Sequence, residues 1–300
     1  MDIRSTACAL LVVVIWGLNF SVIKFGLEEL PPILFSGLRF LIVALPAVLF
    51  LPLPKTSIWN VLGVGLFLGV LKFSFLFVAM KADVSAGISS LLLQAQVLFT
   101  ILLSVLFLKE SINKYQLTGI FVAAIGFSLF LVSASGNVTF TGIILLMCAA
   151  LFWSISNIIM KKTQGVNLLH FMVWASLVPP VPLFLVSYFY ESQSPINLLL
   201  NTSASTWVSL VFVGYVSTLL AFALWGWLLR NYQAAMITPF ALLIPIVGMI
   251  GSNLLLGESL STTELWGAVT VFSGLLITVF GLALISRLKQ KQQNNTQSLV

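Results

Sequence analysis

Apolar residues run through this chain in long blocks, at about 5–26, 33–52, 58–80, 86–108, 115–133, 141–160, 169–190, 206–229, 234–256 and 264–286. Each block is close to the roughly 20 helical residues needed to cross a hydrocarbon core about 30 Å thick. None alternates with a period of two, so the blocks predict helices and not barrel strands. The connections are short, and the longest, from Glu191 to Ser205, is too small for a soluble domain. The pattern predicts an all-α membrane protein with ten transmembrane helices. The first block follows Met1-Asp2-Ile3-Arg4. It is longer than the apolar region of a cleaved leader and lacks a convincing cleavage site, so it reads as a retained span.

Composition agrees with that reading and narrows the function classes. Of 300 residues, 60% are hydrophobic and 7% charged, with 14 Lys and Arg, 8 Asp and Glu and a single His. A soluble domain is about 25% charged. So few charges cannot coat a water-exposed globule, and lipid must be the main solvent. This excludes a cytosolic enzyme, a secreted disulfide scaffold and a nucleic-acid binder. Cys8 and Cys148 fall inside spans and read as small apolar residues.

The net charge of +6 is explained by where the charges sit. Lys and Arg are enriched in cytoplasmic loops. With the N-terminus inside, the inner segments carry Arg4, Lys55, Lys109, Lys114, Lys161, Lys162, Arg230, Arg287, Lys289 and Lys291, and the outer loops only Lys81. Glu28, Glu29, Asp83, Glu191, Glu258 and Glu264 then lie outside. Both termini are expected in the cytoplasm, and the tail at 287–300 is expected to be disordered.

The chain also repeats itself. Glu110-Ser111-Ile112, Leu117, Gly119 and Gly126 recur after a shift of 148 as Glu258-Ser259-Leu260, Leu265, Gly267 and Gly274. A weaker echo pairs Trp16, Asn19 and Lys24 with Trp153, Asn157 and Lys161. The division predicted is 1–136 and 137–286, five spans each. A unit that crosses the membrane five times leaves its copy upside down, so the halves form an inverted repeat. Inverted repeats give a transporter its inward-open and outward-open shapes, with the site where they meet.

Polar residues inside the spans mark where a path could run. Lys24, Arg39 and Lys72 lie in the outer half of the bilayer, Arg39 roughly 10 Å in and Lys72 a little deeper. They could draw a carboxylate, or snorkel outward and pair with Glu28, Glu29 or Asp83. No span has an interior Asp or Glu. That argues against an embedded hydrolase and against a carboxylate proton relay, so no enzyme activity is expected. His170 reads as a helix-end residue. Gln94 and Gln96 lie mid-span, with Asn19 and Asn157 on opposite sides, as inversion requires. Amides suit a zwitterion or serve as interhelical glue. Two residues apart on one helix, Gln94 and Gln96 face differently, so one is expected on the path and the other as glue. Pro239 and Pro245 interrupt the ninth span, and Pro179, Pro180 and Pro182 the seventh. Those kinks could gate the path or free carbonyls. Trp16, Trp153, Trp174, Trp225 and Trp227 are available for cation–π contact with an ammonium or for packing. Gly63, Gly65 and Gly69 permit close helix approach.

Trp16-Gly17-Leu18-Asn19-Phe20, Ile23-Lys24, Pro31-Pro32, Leu38-Arg39-Phe40, Leu93-Gln94-Ala95-Gln96, Glu110 with Gly119, Asn157 with Lys161-Lys162, and Pro245-Ile246-Val247-Gly248 together resemble the EamA family of the drug/metabolite transporter superfamily. The likeness runs to about residue 285. It implies two inverted five-helix halves in a bacterial inner membrane, exporting small amphoteric metabolites of the cysteine or O-acetylserine kind. It also makes Trp16, Asn19, Arg39, Gln94, Gln96 and Asn157 path residues, whereas Lys72 rests on depth alone. The reading is a secondary exporter working by alternating access on a small zwitterionic metabolite, with no cofactor and no metal. The rivals are a broader drug/metabolite exporter and a structural membrane protein. The fifth span of each half, poor in polar residues, suits packing or a homodimer contact.

Overall fold

The computed structural model describes residues 1–133, 136–163, 165–192 and 194–297. Among the described residues ten long apolar helices follow one another, with a short helix Pro195–Leu200 in the connection before the eighth: α1 Ile3–Glu29, α2 Pro32–Val48, α3 Ile58–Lys81, α4 Ala86–Leu108 and α5 Lys114–Leu131 come first. The second set is α6 Phe140–Lys161, α7 Leu168–Tyr190, α8 Ala204–Asn231, α9 Thr238–Leu256 and α10 Thr262–Gln297. Nine contain a stretch long and apolar enough to span a bilayer, and α2 is a shorter apolar helix of 17 residues. The fold is all-α, ten helices in two inverted sets of five. Among the described residues the β-structure amounts to one isolated bridge between Val84 and Val138.

The helices begin where polar side chains satisfy their orphan N–H groups. Asp2 caps α1 by accepting from the Ser5 N–H at 2.9 Å. Asn113 and Gln116 close a capping box on α5. Thr139 and Asn167 cap α6 and α7. Gly257, at φ +68°, ends α9 in the left-handed conformation that glycine adopts freely.

Several helices are interrupted. In α7 the helix stops at Ala175 and resumes at Pro180, and α9 opens with a 3-10 turn over Thr238–Leu243. Both breaks coincide with prolines, as anticipated. The chain's prolines do not account for the others. In α4 a turn at Leu93 and Gln94 separates Ala86–Leu92 from Ala95–Leu108. In α3 and α8 the segments Gly65–Lys72 and Phe212–Leu220 are π-helical.

The chain packs as two compact units, each drawn from both repeats. One, residues 1–103 and 136–259, holds α1 to α4 and α6 to α9, and within it α1 packs against α8, α9 and the first half of α4. The other, residues 104–135 and 260–300, is the pair α5 and α10. Its helices meet on glycines: a Cβ on Gly274 would stand 2.5 Å from the Ala123 nitrogen, and one on Gly126 2.5 Å from the Val271 nitrogen. Gly119, Gly126, Gly267 and Gly274 are the glycines of the 148-residue repeat, so close packing is what that motif records.

α10 continues as helix to Gln297, and 298–300 lie outside the described residues. Arg287, Leu288, Lys289, Gln290, Lys291, Gln292 and Gln293 are all good helix formers, and no Gly or Pro intervenes.

Candidate functional site

Arg39 on α2 and Lys72 on α3 are both buried, and they share one aromatic ring. The Arg39 guanidinium carbon lies 4.1 Å from the Phe73 centroid, 5.1 Å from Phe40 and 5.9 Å from Phe77. The Lys72 ammonium stands 3.4 Å from the Phe73 centroid and 4.7 Å from Trp153. Among the described residues neither cation meets a carboxylate. Arg39 donates from Nη2 to Thr218 Oγ1 at 2.9 Å, and its buried Nε and Nη1 have no acceptor among the described residues. Snorkelling is thus not what Arg39 does. Cation–π contact contributes about 2 kcal/mol when desolvated. A buried cation without a counter-charge costs several. An anion entering between these groups would gain what they lack.

The π segments put the polar groups there. A shift of 148 residues carries Gly65–Lys72 onto 213–220, almost coincident with the observed Phe212–Leu220. Lys72 closes the first segment, and Thr218 lies in the second. The Thr218 hydroxyl donates to the carbonyl of Val213, five residues back, at 3.0 Å. Within α-helical turns other threonines reach four residues back, as Thr100 does to Gln96 and Thr278 to Gly274. The indole of Trp16 donates to the neighbouring Ser217 carbonyl at 3.0 Å, so α1 and α2 both take hold of the same wide turn of α8. π-helical turns inside α-helices occur often at functional sites.

The amides separate. Asn157 Nδ2 donates to Gln96 Oε1 at 2.7 Å and to Thr100 Oγ1 at 3.1 Å, so Gln96 and Asn157 tie α4 to α6. Gln94 is buried at the α4 turn. The turn at Leu93 and Gln94 lies at the junction of the two α4 segments, so the two glutamines are not points on one continuous helix. Asn19, one turn beyond Trp16, is buried with its Oδ1 lacking a partner. Pro239 sits in the 3-10 turn of α9; Pro245 is buried, its carbonyl 3.5 Å from Ser90 Oγ.

One expectation about a charged group changes. Lys24 donates to the Met80 carbonyl, and to that of Val84 at 3.3 Å, closing the end of α3 instead of pairing with Glu28, Glu29 or Asp83. Carboxylates assigned to the outer loops act as caps on other helices. Glu191 accepts from the Ile33 and Leu34 N–H groups at 2.8 and 2.9 Å, at the start of α2. Glu258 accepts from Ala86 and Gly87 at 2.9 and 3.1 Å, at the start of α4. Glu29 accepts from the Ser203 N–H and the Thr206 hydroxyl, both at 2.8 Å, at the start of α8. A carboxylate at a helix N-terminus satisfies orphan donors and the helix dipole together.

Sequence reasoning did not find Thr218, Phe73 or Phe77. The signal for Thr218 was present: Ser217-Thr218 is a polar pair within an apolar span.

The profile of the EamA-like transporter family matches residues 4–132 and 140–280. Among curated proteins, the probable amino-acid metabolite efflux pump of Salmonella typhimurium is 41% identical over 91% of this chain and 94% of its own length. The protein of the same name from Escherichia coli K12 is 39% identical over 94% of this chain and 97% of its own. A solved crystal structure, 17% identical with a TM-score of 0.62, covers 96% of this chain and 99% of that one, a likeness of fold.

Proposed function

The chain belongs to the EamA-like transporter family, and from that premise we propose that it exports small zwitterionic amino acids or their metabolites, of the cysteine or O-acetylserine kind, across a bacterial inner membrane. The observation that carries this reading is Arg39: a buried guanidinium with two nitrogens that have no acceptor among the described residues. A carboxylate is the substrate group whose planar oxygens fit that fork. Lys72 adds positive potential at the same ring, Phe73. Asn19 offers an unused acceptor for the ammonium, and the Gln94 amide stands available beside the α4 break. The names of the two efflux pumps agree with an amino-acid metabolite as cargo. In this reading both termini face the cytoplasm, the substrate enters from that side, and the repeats alternate access about it. Pro239 and Pro245 provide the kink at which α9 moves.

The test is counterflow of labelled L-cysteine and O-acetyl-L-serine in proteoliposomes at two pH values, with wild type and Arg39→Ala. Saturable counterflow by the wild type, abolished in a variant that inserts normally, is expected. Undiminished counterflow by Arg39→Ala would remove the carboxylate site. Transport of unrelated drugs in preference to both amino acids would favour a broader exporter.

A further inference from the structure

Thr218 has a bonding arrangement with a directional consequence. A hydroxyl has one hydrogen and two lone pairs. Here the hydrogen is committed to the Val213 carbonyl at 3.0 Å, so toward Arg39 the oxygen can only accept. It takes one of the two hydrogens on Nη2, at 2.9 Å. If that hydrogen is the one beside Nε, the edge formed by Nη1 and Nη2 stays free. If it is the one beside Nη1, the edge formed by Nε and Nη2 stays free. In either case one full two-hydrogen edge is left, and Nε and Nη1 have no protein acceptor. Phe73 and Phe40 confine the guanidinium, so the remaining variable is rotation in its plane, which Thr218 sets.

We propose that Thr218 is a positioning residue for substrate recognition: its π-turn hydroxyl holds Arg39 by one corner and presents a free guanidinium edge to the substrate carboxylate. The proposal rests on the reading of Arg39 as the carboxylate site and adds a residue on another helix that acts only through it. Binding of a carboxylated substrate should therefore depend on Thr218, and binding of the same molecule with its carboxyl masked should not.

The experiment compares wild type, Thr218→Val and Thr218→Ser in proteoliposomes, using L-cysteine and L-cysteine methyl ester as probes. Thr218→Val keeps the shape and removes the hydroxyl. It should raise the KM for L-cysteine about tenfold, the equivalent of about 1.4 kcal/mol, while leaving Vmax within about twofold. Thr218→Ser should bring the KM back to within about twofold of wild type. The methyl ester should compete equally with all three proteins. If Thr218→Val lowers Vmax or melting temperature alone, or weakens ester and acid alike, Thr218 is a structural residue and the proposal is overturned. Thr218→Ala gives the same comparison if the valine variant does not accumulate. Arg39→Ala run alongside separates the two ideas. Loss of L-cysteine binding there, with none in Thr218→Val, sinks the positioning role alone, whereas no loss in Arg39→Ala sinks the carboxylate site itself.

Discussion

Replacing Arg39 by leucine separates a charge kept for a ligand from one kept for the fold. An Arg at the centre of a spanning helix costs about 2.5–3.5 kcal/mol on insertion scales. Against this stand contact with Phe73, about 2 kcal/mol, and one charge-assisted bond to Thr218, about 1.5–3 kcal/mol. These terms nearly cancel. Arg39→Leu should leave the stability of the empty protein within about 1–2 kcal/mol of wild type. Breaking a buried charge pair, by contrast, costs about 3–5 kcal/mol, but Arg39 has no carboxylate to strand. The contrast appears on adding ligand. At a hundred times Kd, a bound substrate stabilises the wild type by about 2.7 kcal/mol, and the variant should gain almost nothing. Thermal unfolding in detergent, with and without O-acetyl-L-serine, reads both quantities. A variant that still gains the full ligand shift, or one destabilised by more than about 3 kcal/mol without ligand, would refute the reasoning.

Other residues give further outcomes. Gln96→Leu removes the acceptor of the 2.7 Å bond from Asn157 and should lower stability by roughly 0.6–2 kcal/mol while the KM for O-acetyl-L-serine stays within about twofold, as measured by melting and transport together. A KM change larger than the stability change explains would return Gln96 to the path. Glu191→Ala strips two N–H groups at the start of α2 of their acceptor and should cost roughly 1.5–3 kcal/mol, seen as faster alkylation of a cysteine placed at Ile33. Unchanged alkylation would mean that the cap contributes nothing. Gly274→Ala sets a Cβ 2.5 Å from the Ala123 nitrogen and 2.6 Å from the Gly119 oxygen. Both are backbone atoms, so α5 and α10 must part at about 1–3 kcal/mol, and an unaltered melting temperature would contradict so close a packing.

How far the sequence could be read depends on what each feature is made of. The ten spans follow from transfer free energy summed over about twenty residues, so single exceptions do not matter. The glycine repeat survives because a Cβ at Gly119, Gly126, Gly267 or Gly274 meets backbone or a packed ring that cannot yield. Arg39 and Lys72 stand out because charge in lipid is expensive wherever it faces. Features that depend on pairing were not legible. Glu191 and Glu258 could be assigned to a side of the membrane, but not to the helix starts they cap, because the donors are backbone N–H groups common to every residue type. Gln94 and Gln96 were compared as two points on one helix, and the turn at Leu93 and Gln94 removes that frame.

The π segments are the sharpest case, since no residue type marks them. A π turn accommodates one residue more than an α turn, and what reveals it is geometry: Thr218 reaching Val213 where an α-helix would offer the residue four back. The trace in sequence is indirect. The shift of 148 that aligns the glycine motifs also aligns the two segments, so each repeat carries its wide turn at the same place in its third helix. In the first repeat that turn ends on Lys72, and in the second it holds Thr218, which fixes Arg39. The two segments thus share a backbone distortion but carry different side chains, a cation in one and the anchor of a cation in the other. Each wide turn thus carries one support of the charges at Phe73: Lys72 itself on α3, and on α8 the Thr218 hydroxyl that accepts from Arg39.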